Sequence, residues 1–419
     1  MLSSKIFDCA SATHLLKWIT ICLFVSSCSA SINDVFTVKK GTDKGGCDNY
    51  SDVLTNWFSE VQVLLEAGLQ AFVDAENNDP VALATLDGYF GLKRRSSKGD
   101  RAAVQGANFL FLEYLERTSK FYSGNYKVIQ DDQTETPWLF CNSDWEQPVQ
   151  RTDFAFRVVA ASEAAGSEII EEFKSEDGTS QKLILTGVAI QDMDEYENAL
   201  FNKGDRSSPN DDIPYWSQDL REYTFGPVYG DDPSTSTYCG TDTSDAEDKN
   251  LAGTDDATIP ATVTLCPLSF NTPNFRRTLN FITPNTDEDA PDSVENFLPR
   301  SATLLHETIH LVQSTELTPD ASYDLSEVKA AIMKPNKKPK TLSFSDPDNI
   351  LGTTPLNKAV PGRRKLTNIE LVRMNPETFV WFCVSYWYYL QDPIPNNVVA
   401  TNFRYTFPAG NAVKVDVVV

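Results

Sequence analysis

The stretch from Ser301 to Asp324, SATLLHETIHLVQSTELTPDASYD, holds the residues whose types and spacing can do chemistry. His306, Glu307 and His310 stand in the order His-Glu-x-x-His. On a helix, positions i and i+4 stack on one face, so both imidazoles can reach a single metal ion. Glu307, beside the first imidazole, is placed to lean over an open coordination position and take a proton from water there. Zinc suits such a base because it lowers the pKa of a water it holds to about 7. The chain has three histidines, and His14 falls in a leader segment, so a mature protein keeps only the motif pair. The helix that must present them is legible as well. Ser301 follows Pro299 as an expected N-cap, and Leu305, Ile309 and Val312 recur on one apolar face.

A catalytic zinc site takes three protein ligands and a water. A third histidine six residues after the second is absent, since that position is Glu316 and the glycine position before it is Gln313. That removes the three-histidine class. Asp320 follows His310 by ten residues, within Thr318-Pro319-Asp320-Ala321-Ser322-Tyr323. Glu316 and Glu327 are the other carboxylates to weigh, Glu327 being the better placed if a second helix follows the loop. Here the chain resembles the aspzincins, the deuterolysin and peptidyl-Lys metallo-endopeptidase family of secreted fungal proteases. Their pattern after His-Glu-x-x-His is Gly-Thr-x-Asp-x-x-Tyr-Gly, with the Asp as third zinc ligand. Thr318, Asp320 and Tyr323 keep that register; the outer glycines are Leu317 and Asp324, and the spacing from the second His is one residue shorter. The resemblance implies one zinc ion per chain held by His306, His310 and Asp320, with Glu307 as general base. It further implies that Tyr323 donates a hydrogen bond to the scissile carbonyl oxygen, where charge develops in the reaction.

Composition bounds the setting. The chain has 419 residues, 41% of them hydrophobic, a formal net charge of −23 and a sequence pI near 4.5. An acidic surface disfavours nucleic acid and anionic membranes and suits a soluble secreted protein. Residues 1–30 read as a secretory signal: Lys5 and Lys17 precede the apolar run Trp18 to Val25, and Cys28-Ser29-Ala30 offers a small-residue cleavage site. The run is too short to span a bilayer, so no stable membrane association is expected. Eight cysteines include Cys9, Cys22 and Cys28 in the leader, leaving Cys47, Cys141, Cys239, Cys266 and Cys383. An odd number in an oxidising compartment permits at most two bridges and one thiol. Cys383, in a strongly apolar segment, is the expected thiol. Asn49-Tyr50-Ser51 is a glycosylation sequon.

The elements around the motif follow from periodicity. After a polar lead-in over residues 31–46, helical patterns run from Cys47 to about Asn77, from Pro80 to Leu92, and from Asp100 to Tyr122. Lys93-Arg94-Arg95 reads as an exposed loop, with propeptide cleavage there as the competing reading. Strands are expected near Pro137 to Cys141, Phe154 to Ala161, Lys182 to Ile190 and Ala257 to Asn271. Val263 to Leu268 is the candidate edge strand for pairing with a substrate backbone. Residues 203–256, dominated by Asp, Ser, Gly, Thr and Pro, read as a long loop. Asn375-Pro376-Glu377 opens a helix with an N-cap, a proline at the first position and an acid facing the dipole, and Phe379 to Leu390 is apolar nearly all round.

The helical opening and the closing helix are similar to those of aspzincins. The resemblance therefore implies a catalytic domain over residues 47–395 with insertions at about 151–237 and 332–365, the second lying over or beside the cleft as a lid or, the favoured reading, a plain surface loop. Residues 396–419 form a C-terminal extension, expected as an edge strand or without fixed structure. In the family a cysteine-bearing strand precedes the zinc helix. Cys266 corresponds to that cysteine, with Cys239 as its nearest partner, and Cys47–Cys141 is then the other bridge.

The expected class is α+β: a zincin-like metalloprotease domain with a helical N-terminal part, a small mixed sheet, the zinc-binding helix and a buried C-terminal helix. The expected function is a secreted, monomeric zinc endopeptidase acting on protein or peptide substrates. Two alternatives stand beside it. One is a gluzincin-type hydrolase with a downstream Glu as ligand; the other is a non-catalytic pseudo-protease that binds a partner. Glu307 argues against the second, because a purely structural metal site has no use for a base.

Overall fold

A computed structural model describes residues 30–42, 44–92, 111–128, 135–164, 166–175, 178–229, 232–240, 250–315, 317–333, 368–391, 394–395 and 402–417. Residues 1–29 of the expected leader, the run Lys93-Arg94-Arg95, Glu316 and most of the insertion 332–365 lie outside these described residues.

The long helix α1 (Ser51–Glu76) forms because Leu54, Trp57, Phe58, Val61, Leu64, Leu65 and Phe72 recur at three- and four-residue steps and are all buried. Helix α2 (Pro80–Phe90) starts where the Asp79 carboxylate accepts from the amides of Val81 and Ala82, at 2.8 and 2.9 Å, ahead of a proline that needs no amide partner. Helix α3 covers residues 111–122. The motif helix α4 (Ser301–Gln313) has every one of its 13 residues buried. Two shorter helices, α5 (Leu325–Met333) and α6 (Asn368–Met374), precede α7 (Pro376–Leu390), which is buried from Pro376 to Tyr388. A helix without a wet face must be covered all round. Helix α4 packs against α1, α7 and two strands of the main sheet. Gly68 lets α1 approach α7 closely: a Cβ there would sit 2.6 Å from the Cys383 sulfur.

The main sheet begins with β1 (Thr37–Val38) and β2 (Trp138–Phe140). Two three-stranded antiparallel sheets follow, one of β3 (Glu146–Pro148), β7 (Ile213–Ser217) and β8 (Glu222–Gly226), the other of β4 (Phe154–Ala160), β5 (Glu168–Lys174) and β6 (Ser180–Ala189). Their side chains build a second apolar cluster around Leu183, Ile190, Trp216 and Tyr223. Strands β9 (Ala252–Asp255) and β10 (Thr262–Leu265) then complete the main sheet in the order β1-β2-β10-β9, parallel except for β9. The chain ends in β11 (Ile394–Pro395), β12 (Asn402–Thr406) and β13 (Val413–Val417), an antiparallel sheet. It is part of the core: Phe407 is fully buried and its carbonyl accepts from the Tyr89 hydroxyl at 2.9 Å. The molecule is therefore a mixed α+β structure with several small sheets.

Four expectations are corrected. Residues 203–256 are not one long loop, because Trp216 on β7 and Tyr223 with Phe225 on β8 pull these strands into the second cluster, and the stretch also holds β9. Val263 to Leu268 is not an edge: β10 is flanked by β2 and β9, and the chain turns helical at Pro267. The strand expected over 257–271 is confined to β10. Ser301 is not the N-cap of α4. Arg300 holds that position, and the Ser301 hydroxyl donates to Glu60 Oε2 at 2.6 Å instead.

The bridges are Cys47–Cys141 and Cys239–Cys266, the pairing the resemblance implies, and Cys383 is a buried thiol. They are compatible with an extracellular protein. Among the described residues no helix is long and apolar enough to cross a membrane.

Candidate metal centre

Helix α4 stacks His306 and His310 one turn apart, with ring centroids 4.9 Å from each other and the two Nε2 atoms 3.2 Å apart. The loop after the helix brings Asp320 back over them. Its Oδ1 lies 2.9 Å from His306 Nε2 and 3.1 Å from His310 Nε2. Ligands at about 2.0–2.1 Å from a tetrahedral zinc are about 3.3 Å from each other, so this triangle is close to the size such an ion requires. Among the described residues these three are the group of His, Cys, Asp and Glu side chains that could hold a metal ion.

The second nitrogen of each ring decides what the first can do. His306 Nδ1 faces Glu377 Oε2 at 3.0 Å, and a carboxylate there assigns the proton to Nδ1. His310 Nδ1 faces Thr318 Oγ1 at 3.0 Å, while that hydroxyl gives its own proton to the Ser314 carbonyl at 2.9 Å. Thr318 therefore accepts from His310, and both rings point an Nε2 lone pair at the Asp320 oxygen. Two lone pairs and a carboxylate oxygen at contact distance repel unless a cation joins them. The donor set thus fits a divalent metal.

Local backbone chemistry delivers Asp320. Helix α4 ends at Ser314, whose φ of 73° turns the chain out of the helix. Thr315 is pinned by Asp256, its amide 3.0 Å and its hydroxyl 2.6 Å from the carboxylate oxygens. Beyond Asp320, the Asn375 side chain accepts from the Ala321 amide at 3.2 Å and donates to the Ser322 carbonyl at 2.8 Å. Asn375 does stand at the N-cap of α7, yet its side chain caps no backbone amide there: it clamps the loop that carries Asp320 and also donates to the Thr378 hydroxyl at 3.3 Å.

Glu307 is buried, 6% exposed, and its Oε2 lies 2.8 Å from Thr254 Oγ1 on β9. Burial raises its pKa, an effect the neighbouring imidazoles partly offset. For the protein groups alone, burial disfavours charge on His306, but the carboxylates of Asp320, Glu377 and Glu307 outweigh it and raise its proton affinity well above the ordinary. Burial likewise opposes the Asp320 carboxylate, and the two imidazoles override it and hold the group well below the usual range. Tyr323 stacks on His306, with centroids 5.6 Å apart and planes inclined by 18°. Crowding of its phenol by protein atoms, and then the carboxylates of Asp320 and Glu307, push its pKa up, while the residue as a whole is 55% exposed. Tyr238 lies near Glu307 and Asp320. Its hydroxyl donates to the Ala252 carbonyl at 2.6 Å, and only a glycine at 253 leaves room for its ring.

The structure thus brings His306, Glu307, His310, Asp320 and Tyr323 together. Glu327 is elsewhere: its Oε2 accepts from the Ser322 hydroxyl at 2.7 Å, which anchors the start of α5. Sequence reasoning missed Glu377 as the partner of His306, Thr254 as the partner of Glu307, Asn375 as the loop clamp, and Tyr238. Comparison of the chain with family models, with curated proteins and with solved structures finds no match.

Proposed function

We propose that the chain is a secreted zinc endopeptidase of the aspzincin type, with a zincin-like catalytic domain. The observation that carries this reading is the convergence of His306 Nε2, His310 Nε2 and Asp320 Oδ1 within 3.2 Å of one another beside the buried carboxylate of Glu307. Bound there, zinc would supply a Lewis acid that makes water a nucleophile near neutral pH and polarises a carbonyl. Held by the two imidazoles and Asp320, such an ion would keep a fourth position for water or substrate. Glu307 takes a proton from the attacking water and passes it to the amine as the C–N bond breaks. The Tyr323 hydroxyl donates to the carbonyl oxygen as charge builds there. Glu327, bonded to Ser322, gives no support to the gluzincin alternative.

The test is metal analysis with casein cleavage. Purified protein is expected to carry one zinc per chain and to cleave casein. Glu307→Gln should keep the zinc and lose the cleavage. Iron in place of zinc, or a Glu307→Gln protein as active as the parent, counts against the reading.

A further inference from the structure

Thr254 joins two things that a peptidase must coordinate. Its hydroxyl lies 2.8 Å from the Glu307 carboxylate and 3.0 Å from the Glu307 main-chain oxygen, so it fixes both the side chain and the helical turn beneath it. The same residue belongs to β9, the outermost strand of the main sheet beside α4. The register shows which way its backbone faces. Thr254 pairs with Val263, and the Cys266 amide donates to the Leu251 carbonyl at 2.8 Å. In an antiparallel ladder this turns the backbone groups of 251, 253 and 255 toward β10 and those of 252 and 254 outward. The outward Ala252 carbonyl is taken by Tyr238. The N–H and C=O of Thr254 also face outward, and among the described residues neither meets a partner.

We propose that Thr254 is a positioning residue that ties Glu307 to the extended peptide adding to the outer edge of β9. This rests on the peptidase reading above. A peptide laid along β9 exchanges hydrogen bonds with the backbone of Thr254, and ordering of that residue orders the hydroxyl that aims the base. Substrate docking and base alignment then share one residue, and tight binding of the peptide is expressed in kcat and not only in KM.

Thr254→Val keeps the shape and removes the hydroxyl; Thr254→Ser keeps the hydroxyl and removes the methyl. In the zinc-loaded full chain, Thr254→Val is expected to lower kcat about 10- to 100-fold with KM within about twofold. Thr254→Ser should return kcat to within about threefold of the parent. A readout independent of turnover is the carbon-13 resonance of the Glu307 carboxylate, assigned by its loss in Glu307→Gln. It should move in Thr254→Val and return in Thr254→Ser. A Thr254→Val protein with parental kcat and an unmoved resonance overturns the proposal, as does a Thr254→Ser protein as impaired as Thr254→Val. If the parent cleaves no peptide while the resonance responds as expected, the peptidase reading fails and the hold of Thr254 on Glu307 stands.

Discussion

His306 Nδ1 lies 3.0 Å from Glu377 Oε2, a contact between α4 and α7 that spans 71 positions of sequence. It fixes the ring's tautomer and orientation, and it makes Nε2 a stronger donor. Glu377→Gln is therefore expected to weaken zinc binding about 10- to 100-fold without unfolding the chain. Competition with a chromophoric chelator measures this. Parental affinity in the variant would mean that the ring is held by packing alone.

Asp320 and Glu327 separate two ligand sets. Asp320→Ala should leave the purified protein with well under one zinc per chain, because two imidazoles alone hold the ion weakly. Glu327→Gln should retain full occupancy, its carboxylate being engaged with the Ser322 hydroxyl. Zinc analysis of both proteins decides the matter, and the reverse pattern would transfer the ligand role to Glu327.

Glu146, on β3, provides a pH signature away from the metal ligands. Burial pushes its pKa up to about 7, although the Thr224 hydroxyl at 2.6 Å favours the charged form and the nearby Asp255 disfavours it. The folded chain thus holds this proton more tightly than the unfolded chain, whose Glu titrates at the ordinary 4.5. The contribution is complete below that ordinary value and fades as pH rises through about 7. Thermal melts should show the parent gaining stability on acidification from about pH 7.5 to 5, and Glu146→Gln should gain less. Identical pH profiles for the two proteins would remove Glu146 as the source.

Cys47–Cys141 closes a loop with a sequence separation of 94 residues and ties the start of α1 to the end of β2. Replacing both cysteines by alanine is expected to cost about 2–5 kcal/mol, mostly through the freed unfolded chain. Denaturant midpoints measure the loss. A double variant as stable as the parent would show that the core alone fixes α1 against the sheet.

The ligand helix was legible because its chemistry is local: His306, Glu307 and His310 are set by a four-residue spacing that any helix satisfies. The long apolar helices α1 and α7 were legible for the same reason, their periodicity being strong and continuous. What stayed hidden depends on contacts distant in sequence. Glu377 looked like an acid at a helix start, which it is, and only tertiary packing sends it to His306. Thr254 sat in an acidic, glycine-containing stretch whose short strand is defined by its pairing with β10 rather than by its own pattern. Ser301 departs from the expected cap because Glu60, distant in sequence, draws its hydroxyl away from the helix start. The hairpin of β7 and β8 is hidden in polar background because its buried aromatic residues, Tyr215, Trp216 and Tyr223, share the buried positions with Pro214, Ser217 and Thr224.

Helix α4 buries all of its 13 residues, and α7, which packs against it, supplies with its N-cap residue the two side chains that brace the Asp320 loop and the first imidazole. Such a helix has no wet turn that can loosen by itself. A captured ion should exchange on the clock of partial unfolding rather than that of simple dissociation. Stripping by a chelator at mild temperature would then be slow and would quicken steeply with denaturant, so that a chain moved to metal-poor surroundings would keep the ion it folded with.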